Sequence, residues 1–251
     1  LDGDHLPGVT DGDFPAMMHV IQEQAHQLWN DFLQPEFGFD KKYLQVTFSG
    51  HRGFHLHYRS PDIWELDSQA RREIVAHIKG EGADVSTIIH GPDSHWKRRI
   101  ISGVDAVLTK LDRAHEGHRD SLKELKGIID SRKKGVGEKR LLVLAEKAQD
   151  SGRRQRLVDG YVSGKLSMQF GDPLDGIFNE LVIGDKSVVL GNAGETDEVV
   201  TIDLKRVIRW PTSLHGKSGM KVVELPLERL DPNAPNAFDP LTEAVPWRMG
   251  N

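Results

Sequence analysis

Asp2-Gly3-Asp4 sets two carboxylates one residue apart. On a strand end such side chains point the same way and can share a hard divalent cation. The same residues also favour an ordinary turn. Ser49-Gly50-His51-Arg52-Gly53-Phe54-His55 places a hydroxyl, a guanidinium and two imidazoles around two glycines. Glycine lets the backbone approach a ligand closely, and Arg grips phosphate oxygens two at a time, so the segment suits a triphosphate. A hairpin turn with a solvated polar face would read the same way, and two His on one strand face also suit a metal. Arg209-Trp210-Pro211-Thr212-Ser213-Leu214-His215-Gly216-Lys217-Ser218-Gly219 again joins cations, hydroxyls and glycines in a loop, against the plainer reading of a capped turn. It resembles a P-loop only superficially, because that motif's spacer and strand-to-helix order are missing. Glu195, Asp197, Glu198 and Asp203 form a late acidic cluster of a kind that usually faces solvent.

These groups need elements to hold them. Met18, Ile21, Ala25, Leu28 and Phe32 recur at helical spacing, which predicts a helix from Asp13 to Leu33, ended by Pro35 and Gly38. Tyr43 to Phe48 and Phe54 to Tyr58 alternate as strands across the Ser49–Gly53 turn. Leu44, Val46 and Phe48 fall on one side, and His55 and His57 share a face opposite Phe54, Leu56 and Tyr58. From Ser68 to Val158 the pattern is helical, with stripes at Ile101, Val104, Val107, Leu108 and Leu111, at Leu122, Leu125, Ile128 and Ile129, and at Leu141, Leu144, Ala145 and Ala148. Strands are predicted near Leu181–Leu190 and over Met220–Leu225, a short helix over Asp203–Arg209 before Pro211, and an irregular Pro-rich tail from Asp231 to Pro246. The expected organisation is α/β in the α+β sense: a catalytic domain in two parts, 1–65 and 166–251, with mixed sheets flanked by helices, around a helical insertion at 66–165.

Composition narrows the class. The 251 residues, 37% hydrophobic and 28% charged, fit a globular protein, and no apolar run is long enough to span a membrane. The absence of Cys excludes disulfides, thiol nucleophiles and Cys-based structural zinc; His5, His19 and His26 do not restore a zinc set. A net charge of -5 means that a polyanion must meet a local basic patch or a metal held by carboxylates. The basic runs Lys97-Arg98-Arg99 and Arg132-Lys133-Lys134 read as solvated helix faces. The first residues, Leu1-Asp2-Gly3-Asp4, carry no secretory pattern. Without an initial Met the chain is expected to be a fragment.

Together the motifs resemble the archaeo-eukaryotic DNA primase small subunit in its archaeal form. The order matches: an acidic pair, Ser-Gly-x-Arg-Gly-x-His, a further acid, then Ser-x-His-x-Lys-x-Gly. The match is densest over Thr201–Gly219 and extends more weakly through the helical insertion to Phe238-Asp-Pro-Leu. The resemblance implies Mg²⁺ or Mn²⁺, held by Asp2 and Asp197 together with an acid upstream of Leu1, and Asp4 beside them near the metal or ribose. A second alignment makes Asp2 and Asp4 themselves the pair; Leu6-Pro7 favours the first. It further implies that Ser49, His51, Arg52, His55, Arg209, His215 and Lys217 bind the nucleotide. Implied partners are a DNA template, nucleoside triphosphates and a primase large subunit, within the cytoplasm of an archaeal cell. The implied activity is synthesis of short RNA primers by two-metal nucleotidyl transfer during replication, and the fragment is expected to bind nucleotides better than it polymerises them.

Three rivals stand beside it. A related primase-polymerase of repair or plasmid origin would separate by its choice of ribo- or deoxynucleotides. A metal-dependent nucleotide-sugar transferase also uses Asp-x-Asp, but leaves Ser-Gly-x-Arg-Gly-x-His unexplained. A non-catalytic nucleic-acid-binding subunit calls for a basic, aromatic-rich surface, whereas aromatic residues make up 7% of this chain.

Overall fold

A computed structural model describes residues 1, 13–132, 134–190, 201–203, 205 and 207–245. Chain contacts divide into two compact units, Leu1–Ile78 with Ala193–Asn251, and Lys79–Asn192. These divisions fall at other positions than 65/66 and 165/166, because the helix Ser68–Lys79 groups with the first unit and Leu174–Gly184 with the second.

The first unit is α+β. Its leading helix, α1 (Phe14–Gln27), starts where the Asp13 carboxylate accepts a hydrogen bond from the Ala16 N–H. It buries Met17, Met18, Ile21 and Ala25. Pro35 does not end the helical path. One π-helical stretch, Leu28–Leu33, intervenes, and Pro35 then sits in the first turn of α2 (Gln34–Phe37), where its missing N–H costs little. Gly38, with φ 66°, is the true stop.

Two strands follow, β1 (Leu44–Phe48) and β2 (Phe54–Tyr58), then α3 (Ser68–Lys79). A late strand, Val223–Leu225, pairs back on β1, so the antiparallel sheet has the order β2-β1-late strand. Val46 faces Leu56 and Leu225, and Phe48 faces Phe54 and Val223. This side packs on α1 in one apolar cluster with Leu230, Phe238 and Ala244. Ring centroids of Phe48 and Phe54 lie 5.6 Å apart, and each touches Phe238. Burial of each such ring stabilises by about 1.5–3 kcal/mol. The opposite side of the sheet is polar.

The second unit is helical among its described residues: α4 (Val85–His90), α5 (His95–His115), α6 (Arg119–Ser131), α7 (Glu138–Lys147), α8 (Ser151–Ser163) and α9 (Leu174–Gly184). The late strand is therefore β3 in chain order. Helix α5 is the hub: Ile100, Val104, Val107, Leu108 and Leu111 meet α6, α7 and α9 in one buried cluster. Gly103 is required there, since a Cβ would stand 2.3 Å from Val188 Cγ2. The predicted strand near Leu181–Leu190 is corrected: Leu181–Gly184 close α9, which buries Leu174, Ile177, Phe178, Leu181, Val182 and Ile183, and 185–190 form a turn and irregular chain. A helix buried on most sides shows a continuous apolar run, which periodicity alone cannot tell from a strand.

Two further expectations change. Asp203, Lys205 and Val207–Trp210 lie outside any helix; the Asp203 carboxylate accepts instead from the Lys205 N–H, a local turn that competes with a helical start. Of Met220–Leu225, β3 takes Val223–Leu225, and Lys221 makes an isolated bridge to Leu214. No helix among the described residues is long and apolar enough to cross a membrane.

Candidate nucleotide-binding site

The polar face of the sheet follows from strand alternation. Thr47 lies opposite His55 on one side and opposite Glu224 on the other. The Thr47 hydroxyl and His57 Nε2 are 3.1 Å apart, Gln45 Nε2 donates to Glu224 Oε2 at 2.7 Å, and the His55 and His57 rings meet edge to face at 5.7 Å. Burial, then the nearby Arg59, pushes the His57 imidazole below its ordinary value, against a weaker upward pull from Glu224. A cavity of about 410 Å³ opens at β2, lined by Leu1, His55, His57, Arg59, Arg71 and Ile208 among others, a size suited to a small ligand. Leu1 is fixed beside β2 by two backbone bonds: its nitrogen donates to the Phe54 carbonyl at 3.0 Å, and its carbonyl accepts from the Phe54 N–H at 3.1 Å.

The β1–β2 turn is built around Ser49. Its Oγ accepts from the N–H groups of His51 (3.3 Å) and Gly53 (3.2 Å), while its own N–H donates to the Gly53 carbonyl at 2.8 Å. Gly50 takes φ 79°, and a Cβ there would stand 3.0 Å from His215 Cβ and 3.1 Å from the Met220 oxygen. Both conditions demand glycine. The turn thus touches the second motif directly. Ser218 Oγ donates to the Gly50 carbonyl, and the His51 and His215 rings stack at 4.6 Å, only 2° from parallel.

The second motif has its own scaffold. His215 is buried; its N–H donates to the Met220 carbonyl at 2.8 Å, and its carbonyl accepts from Gly219 at 2.8 Å. Nδ1 faces the N–H groups of Lys217 (3.3 Å) and Ser218 (3.4 Å), so Nε2 carries the proton of the neutral ring. Upstream, Trp210–Ser213 is a tight turn: the Trp210 carbonyl accepts from the Ser213 N–H at 3.1 Å and from its hydroxyl at 2.6 Å. Pro211 and then Thr212 at φ 72° match a type II turn. A β-branched residue with positive φ is strained, at a cost of about 1–3 kcal/mol.

The family model for the DNA primase small subunit matches residues 1–226. The chain belongs to this family. It is 33% identical to the DNA primase small subunit PriS of Methanothrix thermoacetophila, 34% identical to that of Natronomonas pharaonis and 30% identical to that of Thermoplasma volcanium. In each case 98% of this chain is covered, against 63%, 61% and 56% of the relative. The chain therefore spans about three fifths of the length of these curated relatives.

In this primase-family chain, Ser49 and His51 are brought together with His215. His55 projects from the polar face of β2, and the side chains of Arg52, Arg209 and Lys217 are exposed. Asp2, Asp4 and Asp197, the residues expected to hold metal, lie outside the described residues. Among the described residues no group of three or more His, Asp or Glu can hold a metal ion, so these do not by themselves make a metal centre. Sequence reasoning missed Thr47, Gln45, Glu224 and the linking role of Ser218. Strand alternation would have placed Gln45 and Thr47 on the face of His55 and His57, but Glu224 and Ser218 depend on long-range pairing. The basic runs of the helical unit end on internal partners: Arg98 on Asp93, Arg99 Nε on the Val188 carbonyl, and Arg132 and Lys134 on Glu180.

Proposed function

We propose that this chain carries the nucleotide-binding half of a primase catalytic subunit, which joins nucleotides into short RNA primers on a DNA template. The single observation that supports this most is the meeting of two phosphate-suited loops at Gly50, Ser218 and the His51–His215 stack. In this reading Arg52 grips phosphate oxygens two at a time and Lys217 adds a point charge. Ser49, whose oxygen already accepts two backbone bonds, still has its hydroxyl proton to donate. His215, stacked on His51, joins His55 and Arg209 in the polar surround. These cations offset charge on the triphosphate as the bond to the leaving pyrophosphate breaks.

In this reading Asp2, Asp4 and Asp197 would hold Mg²⁺ or Mn²⁺, which would supply Lewis acidity toward the 3′-hydroxyl and the pyrophosphate. The proposed partners are a DNA template, nucleoside triphosphates and a primase large subunit. Asp197→Ala is expected to abolish template-dependent primer synthesis while leaving the circular dichroism melting curve in place. Synthesis retained by a purified, folded Asp197→Ala protein contradicts the assignment. Incorporation of ribonucleotides over deoxynucleotides in the same assay separates a replicative primase from a related repair polymerase.

A further inference from the structure

Trp210 is the residue that the nucleotide site leaves unexplained. It is 68% exposed, although a Trp of a stable fold normally buries most of its ring. It is nevertheless held in place. Its carbonyl takes two hydrogen bonds from Ser213, and the turn that makes them forces Thr212 into the left-handed region. A strained turn is kept where its neighbourhood needs the geometry. The Thr212 N–H then donates to the Val222 carbonyl at 2.8 Å, and Val222 returns a bond to Ser213, which ties the turn to the segment leading into β3. The Arg59 guanidinium lies 5.8 Å from the Trp210 ring centroid, a cation–π contact. Val207 is 93% exposed, Ile208 40%, and Arg209 is exposed beside them. The result is an exposed aromatic face with Arg59 against it and Arg209 next to it in sequence, immediately upstream of the loop that meets Gly50.

We propose that Trp210 is a stacking platform for a base of the single-stranded template, with Arg59 and Arg209 taking the flanking backbone phosphates. This rests on the primase reading above and names where the template strand lies on that site. An aromatic face supplies base stacking that tolerates any sequence, and adjacent cations supply the charge that a strand of phosphates requires; single-strand binding surfaces combine the two. The platform precedes the proposed triphosphate cradle by only a few residues, so a stacked template base stands close to the incoming nucleotide.

The test compares wild type, Trp210→Ala and Trp210→Phe in two titrations, one with a fluorescein-labelled oligothymidylate followed by anisotropy and one with ATP followed by calorimetry. Trp210→Ala is expected to weaken oligonucleotide binding about tenfold or more, with Trp210→Phe retaining most of it and ATP affinity unchanged in both. Oligonucleotide binding by Trp210→Ala equal to wild type overturns the proposal. So does loss of ATP binding with the oligonucleotide unaffected, which would assign the ring to the incoming nucleotide. If wild type binds neither ligand, the primase reading itself fails, and the inference with it.

Discussion

In the helical unit, Arg154 reaches both oxygens of Asp112 at 2.8 Å, and Arg132 and Lys134 converge on Glu180. In the sheet unit, Arg52, Arg209 and Lys217 of the two glycine-rich loops are exposed, and its polar sheet face carries His55, His57 and Thr47. The helical unit is organised for packing. Its cations neutralise its own carboxylates, and the Arg154 hydrogen bonds hold Asp112 below the usual carboxylate range. The sheet unit puts its apolar side chains on one face and its imidazoles His55 and His57 on the other. Charge alone would not have separated the two, since the helical unit is the richer in basic runs. The sheet unit pairs cations with carboxylates too, at Lys41–Glu228, Lys42–Asp40 and Arg229–Glu243; the difference lies in the two glycine-rich loops, whose Arg52, Arg209 and Lys217 face solvent.

Substitutions in the two units should therefore fail in different ways. The largest loss of stability is expected from Leu111→Ala in the C-terminal part of α5, where the side chain is fully buried. Truncation there should cost about 2–5 kcal/mol in denaturant unfolding, with ATP affinity of the folded protein retained. Gly50→Ala should cost less, about 1–3 kcal/mol, because it imposes positive φ and a Cβ against His215. Unlike Leu111→Ala, it should also weaken ATP binding in calorimetry, since it parts the two loops. A Gly50→Ala protein that binds ATP as wild type does would show that the close approach has no functional weight.

The smallest effect concerns His57. Its folded-state value is depressed below the unfolded value of 6.5, so the unfolded chain takes up the proton first. Stability from this residue is present at neutral pH and falls as pH drops below about 6.5, until the depressed value is passed. His57→Gln keeps a polar partner for Thr47 and should flatten that part of the melting-temperature profile. An unchanged profile would mean that other histidines account for the acid sensitivity.

How much of this was legible beforehand varied with the range of the interactions. The β1–β2 hairpin and its two faces followed from alternation at Leu44–Phe48 and Phe54–Tyr58, and α5 from the spacing of Val104, Val107, Leu108 and Leu111. Helix α9 was misread as a strand because it is apolar nearly all round. Pro35 was misread as a stop because a π-helical stretch lets it begin a new helical turn. Both phosphate-suited segments were visible as motifs. Their meeting was not, because it depends on β3 pairing with β1 across more than a hundred residues and on Ser218 reaching Gly50. The acids Asp2, Asp4 and Asp197 were also read from the motifs, and they lie outside the described residues.

The most direct test of the account is ATP binding by wild type, Arg52→Ala, Lys217→Ala and the double variant, measured by calorimetry at fixed salt. Arg52 and Lys217 come from different loops. If the loops form one triphosphate cradle, each substitution should weaken binding about tenfold or more, as expected for a lost charge-assisted hydrogen bond, and the double variant should bind weakest. Equal affinity across all four proteins, with unchanged melting curves, would contradict it.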